Sequence, residues 1–128
     1  SEGEVAKPDH VYIAPGGKQM KLAREKEGVT IRITDDPPEN SCRPSVDYLF
    51  RSALNVYGGK VTAVVMTGMG GDGAKEMLRL RNAGAVTIAQ DQTSCVVFGM
   101  PREAIETGAA AHVVHLEEIA REIMKALH

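Results

Sequence analysis

The stretch "KVTAVVMTGMGGDGA", residues 60–74, decides the predicted fold of this chain. It begins with a nearly continuous apolar run rich in β-branched residues, which is typical of a strand buried on both faces. Gly68, Gly70 and Gly73 follow with the G-x-G-x-x-G spacing, and a helical pattern starts at Gly73 or Ala74. A buried strand, a glycine loop and a helix in this order predict one unit of a parallel α/β sheet.

The sequence on either side of this unit divides into two parts. Residues 1–43 predict a β-rich segment that closes with a loop, because Pro37 and Pro38 cannot donate backbone hydrogen bonds. Residues 44–128 alternate between helical and strand patterns. The predicted fold class is therefore α/β: a parallel, doubly wound (Rossmann-like) sheet with covering helices, truncated on its N-terminal side and preceded by the short β-rich segment.

Periodicity and turn residues place the individual elements. Strands are expected in the segments "HVYIAPGG", "KQMKLAREKEG", "VTIRITDD", "KVTAVVMT", "AVTIAQ" and "AHVVHL". Helices are expected from Ser45 to Gly58, from Gly73 or Ala74 to Gly84, from Pro101 to Gly108, and from Leu116 to Leu127. Glycine is the residue that most often ends a helix, and proline suits the first helical position.

Composition limits the functions open to the chain. Its 128 residues are enough for one compact domain. The formal net charge is −2 and no basic block occurs, so neither nucleic acid nor an anionic membrane is an expected partner. No apolar run approaches the roughly 18 to 20 residues that cross a bilayer. Two distant cysteines do not make a secreted disulfide framework, which favours a cytoplasmic location. The chain starts with Ser rather than Met, which predicts a segment of a longer protein or an expression product.

Neither a metal nor a cofactor is expected. His112 and His115 are the closest histidine pair, and in a strand their spacing puts them on opposite faces. A zinc site also needs further ligands, and none cluster nearby in the sequence.

The glycine loop by itself suggests a dinucleotide site. It follows a buried strand and opens a helix, and Asp91 stands at the end of the next strand, where an acidic residue would bind the ribose. Asp72 opposes this interpretation, since a carboxylate in the loop would repel the pyrophosphate. Two like unit charges about 4 Å apart cost about 4 kcal/mol at an effective dielectric near 20. A small dinucleotide-binding module is therefore an alternative only.

Two other interpretations of Asp72 stay open on the residues alone. Aspartate is a favoured N-cap, so Asp72 is a candidate to cap the helix that follows it. It also lies beyond the carboxyl end of a strand, where open α/β sheets carry their functional groups, and an ionised aspartate orients the histidine of a catalytic triad. No G-x-S-x-G elbow surrounds the internal serines, which are Ser41, Ser45, Ser52 and Ser94.

Five segments of the chain carry a resemblance to a known family. In this order, "HVYIAPGG", "RPSVDYLF", "TGMGGDGA", "AGAVTIAQD" and "CVVFGMPREAIETGAA" closely resemble the C-terminal part of bacterial CheB-type protein-glutamate methylesterases. The resemblance implies that residues 1–128 are the C-terminal portion of a single methylesterase catalytic domain. It implies a doubly wound α/β sheet and hydrolysis of glutamyl methyl esters on methyl-accepting chemotaxis receptors. Deamidation of particular receptor glutamines is implied as well.

The resemblance also implies roles for two residues. The aspartate of the family's "TGMGxDG" motif falls on Asp72, which would be the acid of a Ser-His-Asp triad. The methionine of that motif falls on Met69, whose backbone N–H would donate to the oxyanion hole. Met100 and Arg102 belong to a family segment near the active-site face, and no catalytic step is expected of them.

The serine and histidine of the family lie upstream of the matched segments, so His10 is not that histidine. The chain by itself is therefore expected to be inactive, with the missing N-terminal half of the domain as its partner. Removing upstream strands would expose sheet edge and apolar surface, which predicts self-association of the chain. A non-catalytic interaction domain is the remaining alternative.

Overall fold

The computed structural model describes residues 3–127, which form two separate three-stranded sheets and four α-helices. In chain order, the elements are β1 (Glu4–Val5), β2 (Gln19–Glu25), β3 (Gly28–Thr34), α1 (Val46–Tyr57), β4 (Thr62–Val65), α2 (Ala74–Asn82), β5 (Val86–Gln90), α3 (Gly99–Glu106), β6 (His112–Val114), a short 3-10 helix (Leu116–Glu118) and α4 (Ile119–Ala126). No helix within residues 3–127 has the length and apolar character to span a membrane.

The N-terminal sheet is antiparallel, with the strand order β1-β3-β2. Gly28 allows the sharp turn between β2 and β3 because its φ is +124°, a conformation that other residues rarely adopt. The strand expected at "HVYIA" does not form: residues 10–14 have no regular secondary structure. Both edges of β3 are already paired, and Val11 and Ile13 point outward with 89% and 86% of their surface exposed.

The C-terminal sheet is parallel, with the strand order β4-β5-β6, and α2 and α3 make the crossovers between its strands. This arrangement confirms the predicted α/β class. The apolar core lies between this sheet and the two crossover helices, and its buried members are Ala63, Val65, Ala74, Met77, Leu80, Ala85, Ala104 and Ala109.

Two helix boundaries differ from the expectation. Helix α3 begins at Gly99, so Pro101 occupies its third position, where an N–H would still have no partner within the helix. The last helix is split, because residues 116–118 form a 3-10 turn before α4 begins at Ile119. His115 stabilises this tighter turn, since its Nδ1 accepts a hydrogen bond from the backbone N–H of Glu117 at 3.2 Å.

Candidate active site

Asp72 lies in the loop between β4 and α2, and only 3% of its surface is exposed. Its Oδ1 accepts hydrogen bonds from Asn40 Nδ2 at 2.9 Å, from the Ser45 hydroxyl at 2.8 Å and from the Asp47 backbone N–H at 3.2 Å. Its Oδ2 accepts from the Val46 backbone N–H at 2.6 Å. Within residues 3–127, Oδ1 thus has three donors and Oδ2 has one, so Oδ2 is the less occupied of the two oxygens.

The carboxylate of Asp72 caps helix α1 and not its own helix. The two backbone N–H groups that it accepts from belong to the first turn of α1, where the helix dipole favours a negative charge. The N-cap of α2 is Gly73, which makes no side-chain cap and adopts a left-handed φ of +101°. A side chain at position 73 would approach Val46 Cγ1 to 2.9 Å, so glycine lets the loop lie directly against the start of α1.

Helices α1 and α2 cap each other through two aspartates. Asp47, in the first turn of α1, accepts the backbone N–H of Glu76 of α2 at 3.0 Å through Oδ1. Its other oxygen accepts from Asn40 Nδ2 at 2.8 Å, so one amide group bridges Asp47 and Asp72. Both carboxylates are buried, with exposed fractions of 4% and 3%. This reciprocal arrangement explains how two neighbouring acidic groups are accommodated, because each is surrounded by hydrogen-bond donors.

Met69 lies on the open side of the same loop, with 82% of its surface exposed. Its backbone N–H donates no hydrogen bond to any group within residues 3–127. The preceding residue is fixed, since the Gly68 N–H donates to the Val97 carbonyl at 2.9 Å and the Gly68 carbonyl accepts from the Met100 N–H at 2.9 Å. The loop therefore presents a backbone donor at the carboxyl edge of the parallel sheet, near the buried carboxylate.

The protonation of two groups near the loop is shifted. Burial, and after it the negative charge of Asp72, raises the pKa of the Cys42 thiol above its usual value. Hydrogen bonds from Ser94 lower the pKa of Asp91. The Asp91 carboxylate binds a neighbouring residue of its own loop: Oδ1 accepts hydrogen bonds from the hydroxyl and the backbone N–H of Ser94, at 2.5 and 3.1 Å.

The remaining residues singled out from the sequence have structural contacts. Met100 packs its Sδ so close to Gly68 that a Cβ at that position would meet it at 2.6 Å. The Arg102 guanidinium stacks over the Phe98 ring, 5.5 Å from its centroid. No group of three or more potential metal ligands occurs in the part of the chain that the structure describes, and Cys42 and Cys95 are free thiols.

Sequence reasoning missed Asn40, Asp47 and the capping of α1 by Asp72. The only local signal was Ser45, which was expected to help start the helix and is its N-cap. The interpretation of Asp72 as the cap of its own helix is wrong. The argument that Asp72 would repel a pyrophosphate is also weaker than the sequence suggested. The carboxylate is turned toward α1 rather than toward the N-terminus of α2, where a pyrophosphate would bind.

Fold and site together define a class: an α/β domain with a buried, hydrogen-bonded carboxylate and a backbone donor that has no partner among residues 3–127, both beyond the ends of its parallel strands. The family model described as CheB methylesterase matches residues 1–123. The chain belongs to the CheB methylesterase family.

Relatives and a solved structure agree with this assignment. The chain is 54% identical over 125 residues to the protein-glutamate methylesterase/protein-glutamine glutaminase of Desulfotalea psychrophila, covering 96% of this chain and 34% of that protein. It is 50% identical over 123 residues to the protein of the same name from Salmonella typhi, covering 96% and 35%. The crystal structure of the Thermotoga maritima CheB methylesterase catalytic domain superposes with a TM-score of 0.93 at 37% identity, covering 98% of this chain and 66% of that one. The chain thus spans about a third of the length of these curated relatives.

Proposed function

We propose that the protein containing this chain is a protein-glutamate methylesterase of bacterial chemotaxis. Its substrates would be methylated glutamates on cytoplasmic segments of chemotaxis receptors, and its products would be glutamate and methanol. Family membership supports this proposal, as do the names of the relatives. In this proposal residues 1–128 are the C-terminal portion of the catalytic domain, and the serine and histidine are supplied by residues upstream of them.

Asp72 would act as the acid of a Ser-His-Asp triad. The observation that carries this role is its geometry: the carboxylate is buried, four donors fix its rotamer, and Oδ2 has only one donor within residues 3–127, so it is the oxygen that would accept from an imidazole N–H. Held in this way, the carboxylate would select the histidine tautomer and stabilise the imidazolium that forms when the serine is deprotonated. The carboxylate itself would keep its charge throughout.

The backbone N–H of Met69 would stabilise the oxyanion of the tetrahedral intermediate. It makes no other hydrogen bond within residues 3–127, and glycines on both sides of it leave room for an ester group. The same oxyanion forms when the attacked group is an amide, with ammonia in place of methanol as the leaving group. Deamidation of receptor glutamines therefore needs no additional residue in this part of the site.

The test is the change of Asp72 to Asn in the full-length protein, assayed by methanol release from methylated receptors. A triad acid changed in this way lowers kcat by a factor of about 10⁴, because the histidine takes the wrong tautomer. Asp47→Asn is the matched control, since Asp47 is an equally buried carboxylate of the same hydrogen-bond network. Equal losses in the two variants would assign Asp72 a structural role and remove it from the triad.

We further propose that the chain alone is inactive and self-associates. Strand β4 is paired only with β5 within residues 3–127, which leaves one edge of the parallel sheet open. Val11, Ile13 and Val96 add apolar surface, with exposed fractions of 86% to 92%. About a third of the Thermotoga catalytic domain has no counterpart in this chain, and the corresponding residues would cover these surfaces.

Light scattering of the purified chain checks this second proposal. We expect dimers or larger species whose proportion rises with concentration, and their dissociation when the missing part of the domain is added. A stable monomer at high concentration would contradict it, and methanol release by the chain alone would contradict its inactivity.

A further inference from the structure

The buried side-chain amide of Gln90 spans the two loops that follow β4 and β5. Only 1% of Gln90 is exposed. Its Oε1 accepts the backbone N–H of Thr67 at 2.8 Å, and its Nε2 donates to the carbonyl and hydroxyl oxygens of Ser94 at 2.7 and 3.3 Å. A buried amide whose donor and acceptor are both used fixes the separation and orientation of the groups that it joins.

The loop after β4 is held from the other side as well. The Thr67 hydroxyl accepts the Val97 N–H at 2.8 Å and donates to the Val97 carbonyl at 3.0 Å. Gly99 lies against the loop so closely that a Cβ there would meet Gly70 N at 2.9 Å and Gly68 O at 3.0 Å. The peptide groups on both sides of Met69 are thus positioned by contacts that do not involve the Met69 side chain.

We propose that Gln90, supported by Thr67 and Gly99, is the positioning residue that aims the Met69 backbone N–H at the reacting carbonyl. This inference rests on the proposed esterase function and deepens it. The N–H at position 69 can serve an oxyanion only if it stays about 2.7–3.1 Å from the place where the oxyanion forms. Gln90 makes the first anchor of that loop after the strand ends, because it captures the N–H of Thr67.

The experiment changes Gln90 to Met in the full-length protein. Methionine has a similar length and no hydrogen-bonding amide, so the loop loses its anchor to β5 while the core stays filled. We expect kcat to fall about ten- to a hundredfold with KM within twofold, because an oxyanion donor acts only in the transition state. Affinity for a trifluoromethyl ketone analogue of the glutamyl ester should fall by the same factor as kcat/KM, a readout that a merely structural defect would not match.

Two further variants reach the same loop without touching Gln90. Gly99→Ala drives a methyl group into the loop backbone and should reproduce the loss of kcat. Thr67→Val removes the two hydroxyl hydrogen bonds at an exposed position, so it leaves the fold intact and should give a smaller loss in the same direction. Matched controls are Gln92→Met, at an exposed position, and Gly16→Ala, where an added Cβ meets nothing within 4 Å.

The outcomes separate this inference from the proposed function. If Asp72→Asn abolishes activity but folded Gln90→Met, Gly99→Ala and Thr67→Val keep the wild-type kcat, the positioning role is wrong and the esterase assignment stands. Raised KM with unchanged kcat would also overturn it. If Asp72→Asn retains full activity, the proposed triad itself fails. If Gln90→Met melts below the assay temperature, Thr67→Val provides the test instead. A loss of kcat in Thr67→Val supports the positioning of the loop, and an unchanged kcat contradicts it.

Discussion

Changing Asp72 to Asn should destabilise the domain as well as inactivate it, and the structure gives the size of the effect. One carboxylate oxygen becomes an NH₂ group, and either orientation of the amide then faces a donor. The less costly orientation keeps oxygen at the Oδ1 position, which has three donors. The NH₂ group then faces the backbone N–H of Val46, whose nitrogen lies 2.6 Å from Oδ2 of Asp72 in the unchanged protein. A lost hydrogen bond to a charged group costs about 1.5–3 kcal/mol.

The loss of charge at the start of α1 adds to this cost. A negative charge at a helix N-terminus is worth about 0.3–1 kcal/mol when exposed and up to about 2 kcal/mol when partly buried. Because Asp72 is almost fully buried, we expect a total loss of about 3 kcal/mol in the free energy of unfolding. For a domain of this size that corresponds to a decrease of about 10 °C in the melting temperature.

Urea and thermal denaturation of the full-length protein, followed by circular dichroism, measure both quantities. Asp9→Asn is the control, because Asp9 is exposed and its φ of +63° is one that asparagine adopts readily. It should leave the midpoint unchanged. A loss smaller than about 0.5 kcal/mol for Asp72→Asn would show that the hydrogen bonds drawn to α1 do not stabilise the fold, and the capping role would have to be abandoned.

Two other predictions use the shifted protonation of groups near the loop. Burial and the charge of Asp72 raise the pKa of Cys42, whereas burial and Asp91 raise that of Cys95. Asp72→Asn should therefore speed alkylation of Cys42 by iodoacetamide near pH 8 and leave Cys95 unchanged; equal rates for Cys42 would contradict an effect of Asp72 on the Cys42 thiol. Hydrogen bonds from Ser94 lower the pKa of Asp91 in the folded protein. They therefore stabilise the fold fully above the pKa of an unfolded aspartate, about 3.9, and this stabilisation is lost as the pH falls through the lower pKa of the folded state. Asp91→Asn should flatten the dependence of the urea midpoint on pH below about pH 4, and an unaltered dependence would contradict this account.

Much of the parallel half of the fold follows from local patterns. Ser45 begins α1 as expected, and the apolar run of β4 is followed by α2 at Ala74. These signals are local because a helix cap or a buried strand is specified by residues within a few positions of one another. The strand expected at residues 10–14 had the right apolar content, but the segment pairs with none of the strands of the N-terminal sheet, whose order is β1-β3-β2. Pairing is a tertiary property, which a pattern of residues does not contain.

The surroundings of Asp72 could not be predicted from local patterns either, because they too depend on tertiary contacts. Its donors Asn40, Ser45 and Val46 lie far upstream in the sequence and meet it only when α1 packs against α2. The residue type at position 72 suggested a cap for the helix that follows it, and this interpretation is wrong because the carboxylate accepts hydrogen bonds from the first turn of α1. The resemblance to the family supplied Asp72 and Met69, but it gave no reason for their geometry.

That geometry also assigns a purpose to the N-terminal hairpin. Gln19, the first residue of β2, accepts the backbone N–H of Ser45 at 2.8 Å. Farther along, the Leu22 N–H donates to the Ser52 hydroxyl at 3.0 Å, and the Arg24 guanidinium donates to the Val56 carbonyl at 2.8 Å. The hairpin thus fixes α1 at its start and along its length. Because the first turn of α1 holds the Asp72 carboxylate, a sheet with no residue in the proposed triad still sets the direction in which the triad acid points.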